Sequence, residues 1–205
     1  CNTTFAQLAM DLGEQQLAAM TADFGFDQPL NVPLTVNPSI YPDTASDAEV
    51  ALTGIGQFDV RVSVIQMAMV AAAVANDGRL MQPYLVATER DADLAVISRT
   101  EPEVFSEPIS AETASELTAL MTAVVESGTG TPAQVSGVTV AGKTGTAETG
   151  NEQDQHAWMI AFAPAEDPQI AVAVLLENGG RDGSAAYGGS SAGPIVRRLV
   201  EAAVR

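Results

Sequence analysis

Apolar residues recur every three or four positions in several stretches of the chain, a spacing that is typical of amphipathic helices. This spacing predicts helices over Asn2–Leu12, Glu14–Phe24, Ser63–Ala75 and Ser110–Gly128, and a final helix that begins at Pro194. The residues expected to point inward are Phe5, Leu8, Ala9 and Leu12; Leu17, Met20 and Phe24; Val64, Met67, Ala68, Ala71 and Ala72; Ala114, Leu117, Leu120, Met121, Val124 and Val125; and Ile195, Val196, Leu199, Val200 and Ala203.

Short polar signals mark the ends of two of these helices. The run Ser63-Val-Ile-Gln66 has the form of a capping box, and Asn76-Asp-Gly78 follows as a turn. Ser110 is a typical N-cap residue, and Gly128 is a typical helix terminator. These signals place the helix ends without any use of the apolar spacing.

The carboxyl-terminal part of the chain contains apolar runs of strand length. Strands are predicted over Gly137–Glu148, His156–Ala163 and Gln169–Leu176. The links between them are too short for crossover connections, so the three strands should form an antiparallel meander. Together with the helices this predicts an α+β fold, an antiparallel sheet packed with helices. The second strand is expected to place Trp158, Ile160 and Phe162 on one face.

The remaining segments carry weaker patterns. The range Phe26–Glu49 contains four prolines and is predicted to be an extended loop. The two glycines of Gly54-Ile-Gly-Gln57 predict either a turn or a backbone segment that comes close to a site. A strand is predicted over Arg79–Val86, with short strands or a hairpin over Ala87–Ile109. The glycine-rich range Gly179–Gly189 is predicted to be a surface connection.

Composition narrows the possible functions. The chain has 205 residues, enough for one domain with a full core, and 46% of them are hydrophobic. A net charge of −17 argues against binding to nucleic acid and to anionic membrane surfaces. The longest apolar run, Met67–Ala75, is too short to cross a bilayer.

The counts of cysteine and histidine exclude several kinds of site. A single cysteine excludes an internal disulfide and a Cys₄ zinc site, and the single histidine, His156, excludes a histidine-rich metal cluster. No metal and no cofactor are expected. A single histidine beside an acidic loop also argues against a Ser-His-Asp triad.

Lys143 is the only lysine in the chain, and it lies on a predicted strand within Lys143-Thr-Gly-Thr146. A charge that protects a strand edge from unwanted pairing would explain the lysine but not the residues around it. Gly145 allows a ligand to approach the backbone, while Thr144 and Thr146 supply hydroxyl groups. The run therefore predicts a cationic, hydrogen-bonding ledge suited to an extended peptide that carries a carboxylate.

Lys-Thr-Gly on a strand is a signature of penicillin-binding proteins and serine β-lactamases. The longer run Lys143-Thr-Gly-Thr-Ala-Glu148, followed by the tryptophan-containing strand His156–Pro164, resembles class B penicillin-binding proteins. The resemblance covers essentially all 205 residues but only the second half of a transpeptidase domain. It implies the transpeptidase and serine β-lactamase fold, incomplete at the amino end, with residues 1–205 as the C-terminal part of one such domain.

The resemblance also implies roles for individual residues. Lys143 would set the electrostatics of the site, the N–H of Thr146 would contribute to an oxyanion hole, and the hydroxyls of Thr144 and Thr146 would bind the terminal carboxylate. Asn2 would orient the lysine and the substrate amide. The residues expected at the site are Asn2, Lys143, Thr144 and Gly145 as catalytic, and Thr146, Ala147 and Trp158 as substrate-binding, although a core position for Trp158 is favoured by burial statistics.

One element that the family needs is absent from this sequence. A nucleophilic Ser-x-x-Lys requires a lysine, and the sole lysine has Val140 three residues before it. Cys1-Asn2 resembles the last two residues of a Ser-x-Asn element. We therefore expect the chain to be a piece of a longer protein. Two other interpretations of Cys1, an amine-activated nucleophile and a lipidated cysteine, are less favoured. Lipidated cysteines are usually followed by a flexible tether, whereas a helical pattern follows Cys1 at once.

The resemblance implies a peptidoglycan D,D-transpeptidase that cross-links stem peptides ending in D-Ala-D-Ala and is inhibited by β-lactams. Alternatives are a DD-carboxypeptidase or β-lactamase, which would use water as acceptor, and a non-catalytic module that senses β-lactams or peptidoglycan fragments. Other implied partners are the remaining N-terminal part of the protein and a membrane glycosyltransferase. The implied location is the extracytoplasmic face of the membrane, with an N-terminal anchor outside this chain.

Overall fold

The structure is a computed structural model that describes residues 1–44, 46–148, 155–178 and 187–204. Its helices are α1 (Asn2–Leu12), α2 (Glu14–Asp23), α3 (Asp47–Thr53), α4 (Val64–Ala75), α5 (Ala111–Ser127) and α6 (Gly193–Ala203). Its strands are β1 (Leu80–Met81), β2 (Thr88–Arg90), β3 (Val96–Arg99), β4 (Val104–Ser106), β5 (Ala141–Ala147), β6 (His156–Ala163) and β7 (Ile170–Leu176). A short 3₁₀ turn covers Thr131–Ala133, and a π-helical turn, Gly188–Ala192, leads into α6.

The predicted three-stranded antiparallel meander is confirmed, with β6 in the middle and β5 at one edge. The first strand begins at Ala141 rather than near Gly137, and it is therefore shorter than predicted. Gly137 has a φ of 79°, and Val135 and Val138 form an isolated antiparallel bridge around it. The chain therefore makes a tight turn before β5, and Val140 enters the core from that turn.

Helices cover both faces of this sheet, as expected for an α+β fold. On one face, Phe162 and Ala141 pack with Val74 of α4 and Met121 of α5. On the other face, residues of β6 and β7 pack with α6 and with the carboxyl end of α5; this cluster contains Val125, Ala133, Val140, Met159, Ala161, Ala163, Val172, Val174, Ala192, Val196 and Val200. Burial on both faces explains why β6 reads as continuously apolar.

The remaining strands are short. The predicted strand Arg79–Val86 is reduced to β1, which pairs with β4, and the region Ala87–Ile109 contains the β2–β3 hairpin. Among the described residues no helix is both long and apolar enough to cross a membrane.

The helix positions were predicted well, but several inward faces were wrong. In α1 only Ala9 is buried, while Phe5, Leu8 and Leu12 are exposed. The α4 helix buries Gln66, Met69, Ala71, Ala73 and Val74, so Ala71 alone of its predicted face is buried. Exposed residues of other predicted faces are Met20, Leu120, Ile195, Leu199 and Ala203. Apolar spacing identifies a stripe on a helix, but when most of a helix is apolar, as in α4, its rotation depends on the neighbouring elements.

The structure also contains a helix, α3, that was not predicted and whose first three residues fall in the range predicted as a loop. The N-cap Ser46 of α3 accepts a hydrogen bond from the N–H of Glu49. Ser46-Asp-Ala-Glu49 has the spacing of a capping box, so the sequence did contain a signal for this helix. Four prolines upstream made the whole segment read as extended.

We expect Ser110→Ala to lower the free energy of unfolding by about 1 kcal/mol, because it removes the N-cap of α5. The Ser110 hydroxyl oxygen accepts a hydrogen bond from the N–H of Thr113 at 3.1 Å. Urea denaturation would measure the change. Ser136→Ala is the matched control: Ser136 is exposed, with no side-chain hydrogen bond among the described residues, and should change stability by less than about 0.5 kcal/mol. Equal effects of the two substitutions would contradict the capping role.

Candidate active site

The Lys143-Thr-Gly-Thr146 run occupies the middle of β5, the edge strand of the sheet. The antiparallel register places Lys143 opposite Ile160 and Gly145 opposite Trp158. Since side chains alternate along a strand, Lys143, Gly145 and Ala147 share one face, and Thr144 and Thr146 share the other. The lysine and the two threonines therefore approach the same edge of the sheet from opposite faces.

Lys143 carries a charge that no carboxylate neutralises among the described residues. Its Nζ donates a hydrogen bond to the backbone carbonyl of Thr144 at 2.5 Å. The residue as a whole is exposed, yet partial burial of the ammonium among protein atoms lowers its pKa below the usual value. Such an ammonium remains available for an anionic or carbonyl-containing ligand.

We expect the pKa of the Lys143 ammonium to lie below 10.5 in the folded chain, because partial desolvation disfavours the charged form. The unfolded state then binds more protons between the two pKa values, so stability should rise as the pH increases through that window. Lysine-selective ¹³C labelling gives a single Nζ-linked signal, because the chain has one lysine. The urea-unfolded chain is the control, and identical titration in both states would contradict the prediction.

Thr144 forms a side-chain hydrogen bond with a turn that precedes the strand. Its Oγ1 and the Oγ1 of Thr129 share a hydrogen bond of 2.7 Å. Thr129 belongs to the turn Gly128–Thr131, which follows α5. This contact links the site strand to the carboxyl end of a helix that also packs along β5.

Gly145 is approached closely by a segment that was predicted to be a surface connection. Residues 179–186 of that range lie outside the described residues, but Gly188 and Gly189 are buried, so the prediction is wrong for this pair. A Cβ added to Gly188 would lie 2.5 Å from the carbonyl oxygen of Gly145, and it would also overlap the carbonyl oxygen of Trp158. The two glycines let the π-helical turn pack against the backbone of β5 and β6.

The other predicted substrate-binding residues lie along the same strand pair. Thr146 is exposed on β5, and Ala147, the last residue of that strand, is half-buried. Trp158 is neither fully buried nor fully exposed, and its Cβ would contact a side chain at position 145 at 3.2 Å. It therefore lies on the Lys143 face of the sheet, next to Gly145. The sequence between β5 and β6 is polar, which predicts a loop over Thr149–Gln155, and residues 149–154 of this range lie outside the described residues.

Asn2 is the predicted site residue that the structure does not join to the others. It is the exposed first residue of α1, a helix that packs against α2 and α3. No hydrogen bond connects it to Lys143 within the described part of the chain. Among those residues there is also no cluster of His, Cys, Asp or Glu that could hold a metal ion.

The site strand does not line the open cavity of about 670 Å³ that lies between the segments 35–40 and 61–63. None of the predicted site residues belongs to this cavity. A strand edge with an ammonium and hydroxyls is a ledge for an extended ligand, which needs no deep pocket.

Comparison with known proteins decides the family. The family described as the penicillin-binding protein transpeptidase domain matches residues 1–201. The chain belongs to this family. The resemblance inferred from the lysine run and the tryptophan strand is thereby confirmed.

Individual relatives agree with this assignment. The chain is 45% identical to peptidoglycan D,D-transpeptidase PbpA of Mycolicibacterium smegmatis, over all of this chain and 42% of that protein. The crystal structure of PBPA from Mycobacterium tuberculosis matches with a TM-score of 0.92 and 42% identity, over all of this chain and 49% of that one. A penicillin G acyl-enzyme complex of penicillin-binding protein A from M. tuberculosis matches with a TM-score of 0.91 and 41% identity, over 46% of that chain. The chain thus spans less than half the length of these relatives.

Two contacts around the transpeptidase motif were not predicted from the sequence. Nothing in the spacing of the turn Gly128–Thr131 indicated that Thr129 would pair with Thr144. The Gly188–Gly189 pair carried a signal, since glycine can mark a close backbone approach. Its partner strand could not be identified from the sequence.

Proposed function

We propose that residues 1–205 are the C-terminal part of one transpeptidase domain in a peptidoglycan D,D-transpeptidase that cross-links stem peptides and is a target of penicillin. The observation that carries this proposal is the ammonium of Lys143 on an edge strand, with no carboxylate paired to it among the described residues and with threonine hydroxyls beside it. The named relatives support it, because two proteins that are 45% and 42% identical to this chain bear the name peptidoglycan D,D-transpeptidase PbpA.

In the proposed reaction the nucleophile is a serine in a part of the full-length protein outside this chain. Its oxygen attacks the carbonyl carbon of the penultimate D-Ala, and its proton passes to a base. The tetrahedral intermediate collapses as the amide bond breaks, and the terminal D-Ala leaves as an amine after gaining a proton. An amine of a second stem peptide then attacks the ester, a new amide bond forms, and the serine regains its proton.

The residues of this chain hold the substrate during these steps. The N–H of Thr146, together with the N–H of the serine, stabilises the oxyanion. The hydroxyls of Thr144 and Thr146 bind the terminal carboxylate, and the Lys143 ammonium favours negative charge in the site. The absence of a side chain at Gly145 lets the peptide lie along the strand, and Ala147 and Trp158 extend the contact surface. Asn2, for which the resemblance alone supplies a role, orients the lysine and the substrate amide.

The amino-terminal part of the same domain is the first partner in this proposal. Phe5, Leu8 and Leu12 form an apolar stripe on α1, and each is between 49% and 58% exposed. A stripe of this kind is typical of a surface that another element covers. The missing Ser-x-x-Lys must come from the same part of the protein.

The proposal also includes a membrane glycosyltransferase as partner and a location at the extracytoplasmic face of the membrane, with an anchor outside this chain. The donor and acceptor stem peptides are components of the cell wall, so the cross-linking site must face that compartment.

Intact mass after incubation with penicillin G tests the proposal. We expect a penicilloyl adduct on the full-length protein and none on the 205-residue chain, because the chain contains no Ser-x-x-Lys. Product analysis of the full-length protein with a stem peptide, with and without an amine acceptor, then separates transpeptidation from hydrolysis. Failure of the full-length protein to form an adduct would overturn the proposed function, and an adduct on the short chain would place the nucleophile elsewhere.

A further inference from the structure

Two hydroxyl groups from different elements meet at the edge of β5. Thr129 comes from the turn after α5, and Thr144 comes from the centre of the strand, yet their Oγ1 atoms are 2.7 Å apart. Thr129 is exposed and Thr144 is half-buried, so the pair lies at the boundary between protein and solvent. A hydrogen bond between two hydroxyls uses one proton and leaves the other proton free.

The turn that carries Thr129 is held firmly on the end of α5. The N–H groups of Gly128 and Gly130 both donate to the carbonyl oxygen of Val124, at 3.1 and 2.9 Å. The side-chain amide of Gln134 donates to two further carbonyls near the end of the helix, those of Val125 and Glu126. The Thr129 backbone therefore has a fixed position relative to the helix.

The buried residue Gly189 lies beside the side chain of Thr144. A Cβ at Gly189 would lie 3.6 Å from the Cγ2 methyl of Thr144, which is ordinary van der Waals contact. The same Cβ would overlap the carbonyl oxygen of Thr129, so the turn, the strand and the π-helical segment meet at this point. With its methyl directed to Gly189, Thr144 has one rotamer that directs its hydroxyl to Thr129.

We propose that Thr129 is a positioning residue for the acyl-transfer reaction: it donates its hydroxyl proton to Thr144, so that Thr144 keeps its own proton for the substrate carboxylate. This inference rests on the proposed function. A hydroxyl that accepts one hydrogen bond is a better donor in the next, because hydrogen bonds in a chain polarise one another. Thr129 thus acts through Thr144 and needs no direct contact with the reacting atoms.

Three variants of the full-length protein test this role. Thr129→Val removes the hydroxyl with little change of shape, and Thr129→Ser keeps it. Thr131→Val is the matched control, because Thr131 belongs to the same turn and is exposed, with no side-chain hydrogen bond among the described residues. Acylation rate constants are measured with penicillin G and with its methyl ester, in which the carboxylate is blocked, and thermal melting is recorded for each variant.

We expect Thr129→Val to slow acylation by penicillin G by up to about tenfold, the upper end of the range for one lost hydrogen bond between uncharged groups. The same variant should change acylation by the methyl ester less than about twofold, and Thr129→Ser and Thr131→Val should resemble the unmodified protein. Equal losses with both ligands would show a merely structural role and would overturn the inference. Acylation of Thr129→Val at the normal rate would overturn the inference about Thr129 but not the proposed function. If the unmodified protein itself were not acylated, both the proposed function and the inference would be overturned.

Discussion

Lys143→Met in the full-length protein is expected to reduce the rate of acylation by penicillin G by a hundred- to a thousandfold, the magnitude for loss of one preorganised electrostatic group in an active site. Methionine is nearly as long as lysine and can follow the same path, so the change removes chiefly the charge. No ion pair to Lys143 exists among the described residues, and its removal therefore leaves no unpaired carboxylate there. Thermal stability should stay the same or rise slightly, because the partial desolvation of the ammonium is relieved.

The matched control for this prediction is Arg79→Met. It makes the same change in net charge at an exposed residue, and the Arg79 side chain has no hydrogen bond or ion pair within the described ranges. Acylation of this variant should stay within about twofold of the unmodified protein, since an exposed surface charge acts only through screened electrostatics. If Lys143→Met were acylated at the control's rate, Lys143 would have no part in the reaction.

Gly188→Ala is expected to lower the free energy of unfolding by about 3 kcal/mol or more, at the upper end of the range for overpacking. The added Cβ would lie 2.5 Å from the carbonyl oxygen and 2.9 Å from the nitrogen of Gly145, and it would overlap the carbonyl oxygen of Trp158. All three are backbone atoms, so no change of rotamer can relieve the collision. Relief requires the π-helical turn or β5 itself to move, and the second movement would also displace the site residues.

Gly137→Ala is the control for this substitution. Gly137 has a φ of 79° and no atom within 4 Å of an added Cβ, so the change introduces only the backbone penalty of about 1 kcal/mol. The free energies of unfolding of the two variants, measured by urea denaturation, separate the steric collision of the added Cβ from the backbone penalty of a positive φ. If Gly188→Ala lowered the free energy of unfolding no more than Gly137→Ala does, the π-helical turn would adapt freely and would not fix β5.

Much of the fold follows from local sequence. Ser63 and Ser110 cap α4 and α5 as predicted, because a hydroxyl acceptor at an N-cap acts within three residues of sequence. The short links among β5, β6 and β7 left antiparallel pairing as the available arrangement, and the structure has it. The range of α1 was correct for the same reason, since Gly13 ends the periodic run.

Which side of each helix is buried was not decided locally. In α4 nearly every residue is apolar, and the polar residue Gln66 is among the most buried because its amide donates to the carbonyl of Phe24 at 2.6 Å. A buried polar group is tolerated where a partner exists, and here the partner follows the end of another helix, α2. Sequence periodicity holds no information about such a partner.

For the candidate site, the sequence determined the chemistry: one lysine, two threonines and a glycine on a strand, in a run specific enough to indicate the transpeptidase family. Only the tertiary structure decided how that strand is held, by Thr129 on one side and by Gly188 and Gly189 on the other. The physical reason is the separation along the sequence over which each interaction acts. Residue type and strand alternation act over a few positions, whereas hydroxyl pairing and backbone contact join segments that meet only after the sheet and its helices have packed.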